Sequence, residues 1–263
     1  MNILLKIVWI KKMITNGCTN PYIVLCNDNN NYVVKFPGNV QGKKALVNEF
    51  VAANICNELQ LPILKFELIK VEKSNYNDLT YGVVDSIAGT AFGTLFKDNL
   101  FPVLSPSRIT KTNNKYDAIK ILIFDILIGN NDRNPGNLFI DVKTNKITMI
   151  DHTHIFLLDT LWDDIQLKKI MNDKFDILKL NQYNYNNIIE SITINDNLCC
   201  EVNEFRKKVK NVSKAFLKQV MNEIPDDWEV KNEEKEVLID FIYNRFQRVD
   251  EVISILGIES GEK

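Results

Sequence analysis

Between Tyr116 and Ile128 the chain is strongly apolar and helical in length, and it ends in the polar string Asn130-Asn131-Asp132-Arg133-Asn134-Pro135-Gly136-Asn137. The apolar helix delivers this loop. Beyond it, Leu138 to Asp141 and Lys146 to Ile150 predict a small hairpin across Lys143-Thr144-Asn145, which runs into Ile150-Asp151-His152. Such a hairpin would carry Asn137 and Asp151 to neighbouring points. Each residue type in the string is turn-prone, so by itself the loop reads equally well as a plain turn.

Upstream, up to about residue 90, the pattern is of strands around one helix: Leu4 to Met13, Pro21 to Cys26 and Asn31 to Phe36, with Asn27-Asp28-Asn29-Asn30 closing a hairpin between the last two. Lys35 lies at the end of that hairpin. Lys43 to Leu59 then has helical spacing with Pro62 as its stop, and Phe66 to Val71 and Tyr81 to Ile87 alternate as two more strands. Gly38 and Gly42 read as the connection from strand to helix. Gly89 to Thr112, with its Gly, Pro, Ser and Thr, reads as a connector or mobile loop; its hydroxyls also suit an acceptor-binding or self-modified segment. The segments 160–180, 184–193, 200–223 and 232–256 predict a mainly helical remainder.

Composition excludes several classes. At 263 residues, 45% hydrophobic and 25% charged, the chain suits a soluble protein of one large or two small domains. The net charge of -2 argues against nucleic acid as a direct partner, because phosphate-backbone affinity needs clustered Lys and Arg. The five cysteines (Cys18, Cys26, Cys56, Cys199, Cys200) form no C-x-x-C pair, which points to reduced thiols and a cytoplasmic protein. Met1 to Ile14 is apolar but interrupted by Lys6, Lys11 and Lys12 and too short to span a bilayer, so it reads as a strand.

Phosphoryl transfer needs an acid at the acceptor hydroxyl and oxygen ligands that hold divalent metal against a triphosphate. Asp132 and Asn137 have the spacing of Asp and Asn in the kinase catalytic loop H-R-D-x-x-x-x-N, although here Arg133 follows the Asp. Asp132 would be the base; Asn137 and Asp151 would ligate Mg²⁺. Lys35 would contact the phosphates of ATP, and Glu49, fourteen residues later and on the following helix, would hold Lys35 by an ion pair, with Glu58 on the same helix as the competing choice. Both also read as solvated charges. Asn16-Gly17-Cys18-Thr19-Asn20 is the candidate loop over the phosphates, with Gly17, Cys18 and Thr19 at its centre, but one Gly fits a hairpin turn as well. Arg133 would orient Asp132, meet a phosphate, or form a local ion pair. His152 and His154, two apart on a strand, offer a rival transition-metal site, against which stands packing behind Asp151. Trp9, Trp162, Trp228, Phe241, Tyr243 and Phe246 read as core or interface residues.

Taken together, Tyr32-Val33-Val34-Lys35-Phe36, Leu46-Val47-Asn48-Glu49, Leu59-Gln60-Leu61-Pro62, Ile128 to Asn137 and Ile150-Asp151-His152 resemble the HipA-like serine/threonine kinases, especially the short single-chain ones, and more distantly type II phosphatidylinositol 4-kinases. The resemblance covers roughly residues 15 to 160. It implies an α+β fold of two kinase-like lobes: an antiparallel sheet with one helix over 1–90, and a mainly helical lobe over 91–263. Adenine would then meet backbone at Val84, Asp85 and Ser86, at a lobe junction. It further implies ATP and Mg²⁺, transfer to a Ser or Thr of a protein substrate, and in some relatives a toxin role with an antitoxin or inhibitory partner chain and a translation component as target. A nucleotide-binding pseudokinase and a lipid kinase are the competing readings.

Overall fold

The computed structural model describes residues 4–15, 20–72, 88–134, 136–175 and 182–258. Its first half is a small closed barrel. Strands β1 (Leu5–Met13), β2 (Tyr22–Cys26), β3 (Asn31–Lys35), β4 (Phe66–Val71) and β5 (Gly89–Leu95) close in the order β1-β2-β3-β5-β4. The sheet expected to be antiparallel is so in every pair but one: β1 and β4 run parallel, with Leu5 opposite Ile69 and Lys6 opposite Lys70. Closure removes an open edge that a lone sheet would leave unpaired. Ile7, Ile10, Val24, Tyr32, Val34, Ile69, Val71 and Ala91 fill the interior.

One expectation about this part changes, and another falls outside the described residues. The segment from Gly89, expected to be a connector, begins with β5, which lies between β3 and β4 and sets Phe92 opposite Lys35. Its small residues misled: a Cβ on Gly93 would stand 2.4 Å from Ile69 Cδ1 and 3.2 Å from Val34 Cγ2, so the barrel interior leaves no room for a side chain there. The strand expected over Tyr81 to Ile87 lies outside the described residues, as do Val84, Asp85 and Ser86.

Helix α1 (Lys43–Glu58) forms where periodicity predicted, but every residue from Ala45 to Ala53 is buried, so it is enclosed on all sides. It ends at Gln60, which takes φ 58, while Leu61 N–H bonds Cys56 O at 2.8 Å. After the barrel come β6 (Leu100–Pro102) and a short α2 (Pro106–Ile109), then the apolar helix α3 (Asp117–Ile128). Strands β7 (Leu138–Asp141) and β8 (Lys146–Met149) make the expected hairpin, and β6 extends it to three strands.

Among the described residues five helices follow: α4 (Asp164–Ile170), α5 (Gln182–Ser191), α6 (Asp196–Asn211), α7 (Lys214–Asn222) and α8 (Asn232–Gln247), with α9 (Val249–Ile255) continuing the last. The single helix expected over 200–223 is two, because Val212 is extended and Ser213 starts a new helix, its hydroxyl accepting from Phe216 N–H at 3.1 Å. Trp162, Trp228, Phe241 and Phe246 are core residues, as expected, packed with α1, α3 and the hairpin in one continuous cluster. Trp9 is half exposed on β1.

Gly129 ends α3 in the left-handed conformation, φ 70, and a Cβ there would meet Leu157 N at 2.9 Å. Left-handed backbone costs a residue with a Cβ about 1–2 kcal/mol, before any clash. Gly129→Ala is therefore expected to destabilise the protein by at least about 2 kcal/mol in urea unfolding. A change below about 0.5 kcal/mol would mean that the turn relaxes freely.

Candidate functional site

Lys35 stands at the end of β3 with its ammonium buried, and its three N–H groups each have a partner. It is paired with Glu49 on α1, and it donates to Asp151 Oδ1 at 2.9 Å and Thr153 Oγ1 at 2.8 Å. The end of β3, the following helix and a segment 116 residues away thus meet at one nitrogen. Glu58, the alternative to Glu49, is exposed at the far end of the helix. Glu49 is held from a second side: its Oε2 accepts the backbone N–H of His152 at 3.1 Å.

Burial alone would lower the Lys35 pKa, but the charges of Asp151 and Glu49 outweigh it and raise it. For Asp151, burial pushes up and Lys35 with the Thr153 hydrogen bonds pulls harder, so its carboxyl lies below the ordinary range. Burial raises Glu49 against the pull of Lys35. Lys35 and Asp151 therefore stay charged at neutral pH. Asp151 is the open member, its side chain 30% exposed against 10% for Lys35 and 4% for Glu49.

Asp132 sits in the loop after α3. Its backbone N–H bonds Asn130 Oδ1 at 2.9 Å, and its carboxylate accepts from Asn134 Nδ2 at 2.8 Å and Asn137 Nδ2 at 3.2 Å. Asn137 Nδ2 also donates to Asp132 O at 2.7 Å, which leaves its amide oxygen as the atom available to a ligand. The hairpin does what was expected of it: Leu138 lies opposite Met149, and Ile150 N–H bonds Asn137 O at 3.1 Å. Asn137 and Asp151 flank one hairpin base.

Arg133 is not a phosphate ligand or the partner of Asp132. It is fully buried and forms a two-pronged pair with Asp125 on α3, Nε to Oδ2 at 2.8 Å and Nη2 to Oδ1 at 2.9 Å. Nη1 donates to Asn137 O and Ile150 O, each at 2.9 Å, and Nη2 also reaches His152 Nε2 at 3.2 Å. The guanidinium ties helix, loop and hairpin together. Burial and the nearby Arg133 charge depress the His152 pKa far below its usual value, so its ring is neutral and accepts from Arg133.

His152 and His154 do not share a strand. His154 is near Asp159 at 3.4 Å and Gln41 Nε2 at 3.3 Å. Among the described residues no group of three or more His, Cys, Asp or Glu could hold a metal ion. Gly17, Cys18 and Thr19, the candidate phosphate loop, lie outside the described residues, as does Pro135.

Sequence reasoning gave no role to Thr153, Asp125 or Asn48. Asn48 is wholly buried; its Nδ2 donates to Thr153 O at 2.6 Å and Asp159 O at 2.7 Å, and its Oδ1 accepts from Trp162 Nε1 at 2.8 Å. Asp125 carried a signal, being an acid inside a helix that is otherwise apolar around it. Thr153 carried none.

The model of the HipA-like kinase family matches residues 7–252, nearly the whole chain. The chain belongs to the HipA-like kinase family. Its fold is that of a kinase. The proinflammatory kinase CtkA of Helicobacter pylori is similar in structure, with a TM-score of 0.58 and 16% identity over 97% of this chain and 98% of that one. The FAT and kinase domain of CtTel1 is a weaker match, with a TM-score of 0.47 and 12% identity over 94% of this chain and 22% of the other. No curated protein matches. Among the described residues no helix is long and apolar enough to cross a membrane.

Breaking a buried ion pair by removing one partner costs about 3–5 kcal/mol, because the other charge is left uncompensated. Asp125→Leu and Arg133→Met are each expected to lose about that much in urea unfolding, and the double variant less than the sum of the two. Strict additivity would show that the pair is not the tie described.

Proposed function

We propose that this kinase transfers the γ-phosphate of ATP to a Ser or Thr hydroxyl of a protein. The observation that carries the reading is Lys35 bonded at once to Glu49 and Asp151, the assembled arrangement that phosphoryl transfer uses to hold a nucleotide. Two lobes would meet near the boundary expected at residue 90, and the chain leaves β5 at Leu95. Adenine would meet backbone at the lobe junction.

In this reading Lys35 binds the phosphates. All three of its protons are engaged, so a phosphate oxygen must replace a partner, and Asp151 is the one open to solvent. The freed carboxylate and the Asn137 amide oxygen suit Mg²⁺, which takes few protein ligands and completes its shell with water and phosphate. When bound, Mg²⁺ would offset charge on the phosphates. Asp132 orients the acceptor hydroxyl and takes its proton as the new O–P bond forms and the bond from the γ-phosphorus to ADP breaks. Asn137 and Asn134 hold that carboxylate in place.

Calorimetric titration and transfer of labelled phosphate test the division of roles, with folding checked by circular dichroism. Asp151→Ala should weaken Mg²⁺-dependent ATP binding by about tenfold or more and stop transfer. Asp132→Ala should lower transfer by about 10²-fold or more while ATP affinity stays within a few-fold. Equal loss of binding in both variants would overturn the roles. Tight ATP binding by the unaltered protein, with no transfer to itself or to any lysate protein, would make it a nucleotide-binding module instead.

A further inference from the structure

Helix α1 carries Glu49 in its second turn, yet its start is poorly made. The N-cap is Gly42, no side chain caps the first turn, and that turn contains no acid but begins with Lys43 and Lys44. Two cations at the positive end of a helix oppose its dipole, and an uncapped N-terminus leaves N–H groups unpaired. By local chemistry this turn should fray.

What supports it comes from the other end of the chain. The turn Asp226–Trp228 and the start of α8 bring Glu229 to Lys43 at 2.5 Å and Glu234 to Lys44 at 2.8 Å. The Lys44 ammonium also lies 4.2 Å from the centre of the Trp162 ring. Trp228, almost wholly buried, packs edge-on against Phe50, with ring centres 6.0 Å apart. The same turn grips the barrel: Trp228 Nε1 donates to Thr90 O at 2.7 Å, and Asp227 Oδ2 accepts Thr90 N–H at 2.6 Å. The approach is close enough that a Cβ on Gly89 would stand 2.6 Å from the Asp227 carboxylate.

We infer that residues 226–234 are a positioning strap, which fixes α1 against the barrel and so keeps Glu49 on Lys35. Asp227 and Trp228 anchor the strap on β5. Glu229 and Glu234 cancel the charges that would loosen the first turn of α1. The catalytic consequence rests on the kinase reading; the structural one does not.

Two variants test it. Glu229→Gln together with Glu234→Gln removes the charges, and Gln at 234 can still accept the Lys231 backbone N–H that Glu234 now takes at 3.0 Å. Trp228→Phe keeps a ring against Phe50 and removes the bond to Thr90. Amide exchange across residues 43–50 should quicken by about tenfold in both, while α3 and the β2–β3 hairpin exchange as before. Mg²⁺ with ATP should restore slow exchange, and the KM for ATP should rise about three- to tenfold with kcat within about twofold, because the nucleotide draws the protein back to its engaged form.

Unchanged exchange at α1 in both variants would overturn the strap. So would faster exchange spread evenly over α3 and the barrel, or a loss that nucleotide does not reverse, since either marks a purely structural role. If the unaltered protein binds no nucleotide, the kinase reading fails, and the contrast in exchange without nucleotide still decides the strap.

Discussion

The site's geometry depends on a charge placed where no water can reach it. Arg133 is buried to the last atom, and every N–H of its guanidinium finds an acceptor: the Asp125 carboxylate, two backbone carbonyls, and the neutral ring of His152. Such a group is tolerated in a low-dielectric interior only when it is paired and fully hydrogen-bonded. That requirement makes it a ruler. The loop bearing Asp132, the hairpin base bearing Asn137 and the turn bearing Asp151 can satisfy one rigid fork in only one relative arrangement. Raising the Arg133 pKa against the opposing effect of burial, Asp125 keeps the fork charged.

Beyond the hairpin the backbone is strained. Asp151, Phe156, Leu157 and Asp159 all have φ between 55 and 65, which L residues with bulky side chains avoid. Such conformations persist where surrounding contacts over-determine them. Here Phe156 N–H bonds Ile128 O at 2.9 Å and Leu157 N–H bonds Gly129 O at 3.0 Å, while Asn48 holds the carbonyls of Thr153 and Asp159. The segment after Asp151 is sewn to the end of α3 on one side and to α1 on the other. At Asp151 the carboxylate accepts from Lys35 at 2.9 Å and from Thr153 N–H at 3.1 Å.

How much of this was legible depended on range. Asp132 and Asn137 could be paired by spacing because their contact is five residues long, and the hairpin could be foreseen because its turn is local. Lys35 and Glu49 were found as a pattern, although their meeting with Asp151 spans 116 residues. Arg133 was misread for the opposite reason: Asp132 beside it was the obvious partner, while the true one, Asp125, lies eight residues back along the chain. β5 was taken for a connector because a glycine in a strand and a glycine in a loop look alike until the neighbouring Ile69 and Val34 are in place. The parallel pairing of β1 with β4 has no local signature, since closure of a barrel is a property of the whole sheet.

Charge at the site gives a physical reason for divalent metal in the proposed reaction. The Lys35 ammonium is paired with the carboxylates of Glu49 and Asp151, Asp132 is held by Asn134 and Asn137 nearby in the chain, and Arg133 is already neutralised by Asp125. In the proposed reaction a triphosphate would add negative charge beside the carboxylates already paired with Lys35. In that reading positive charge would arrive with the nucleotide. Asp151 is suited to receive it, because the Lys35 ammonium holds its carboxyl below the usual range and so keeps it ionised, while its exposure lets it change partners. In the proposed reaction Lys35 would exchange its Asp151 contact for a phosphate oxygen, while its buried pair with Glu49 would hold the ammonium in place.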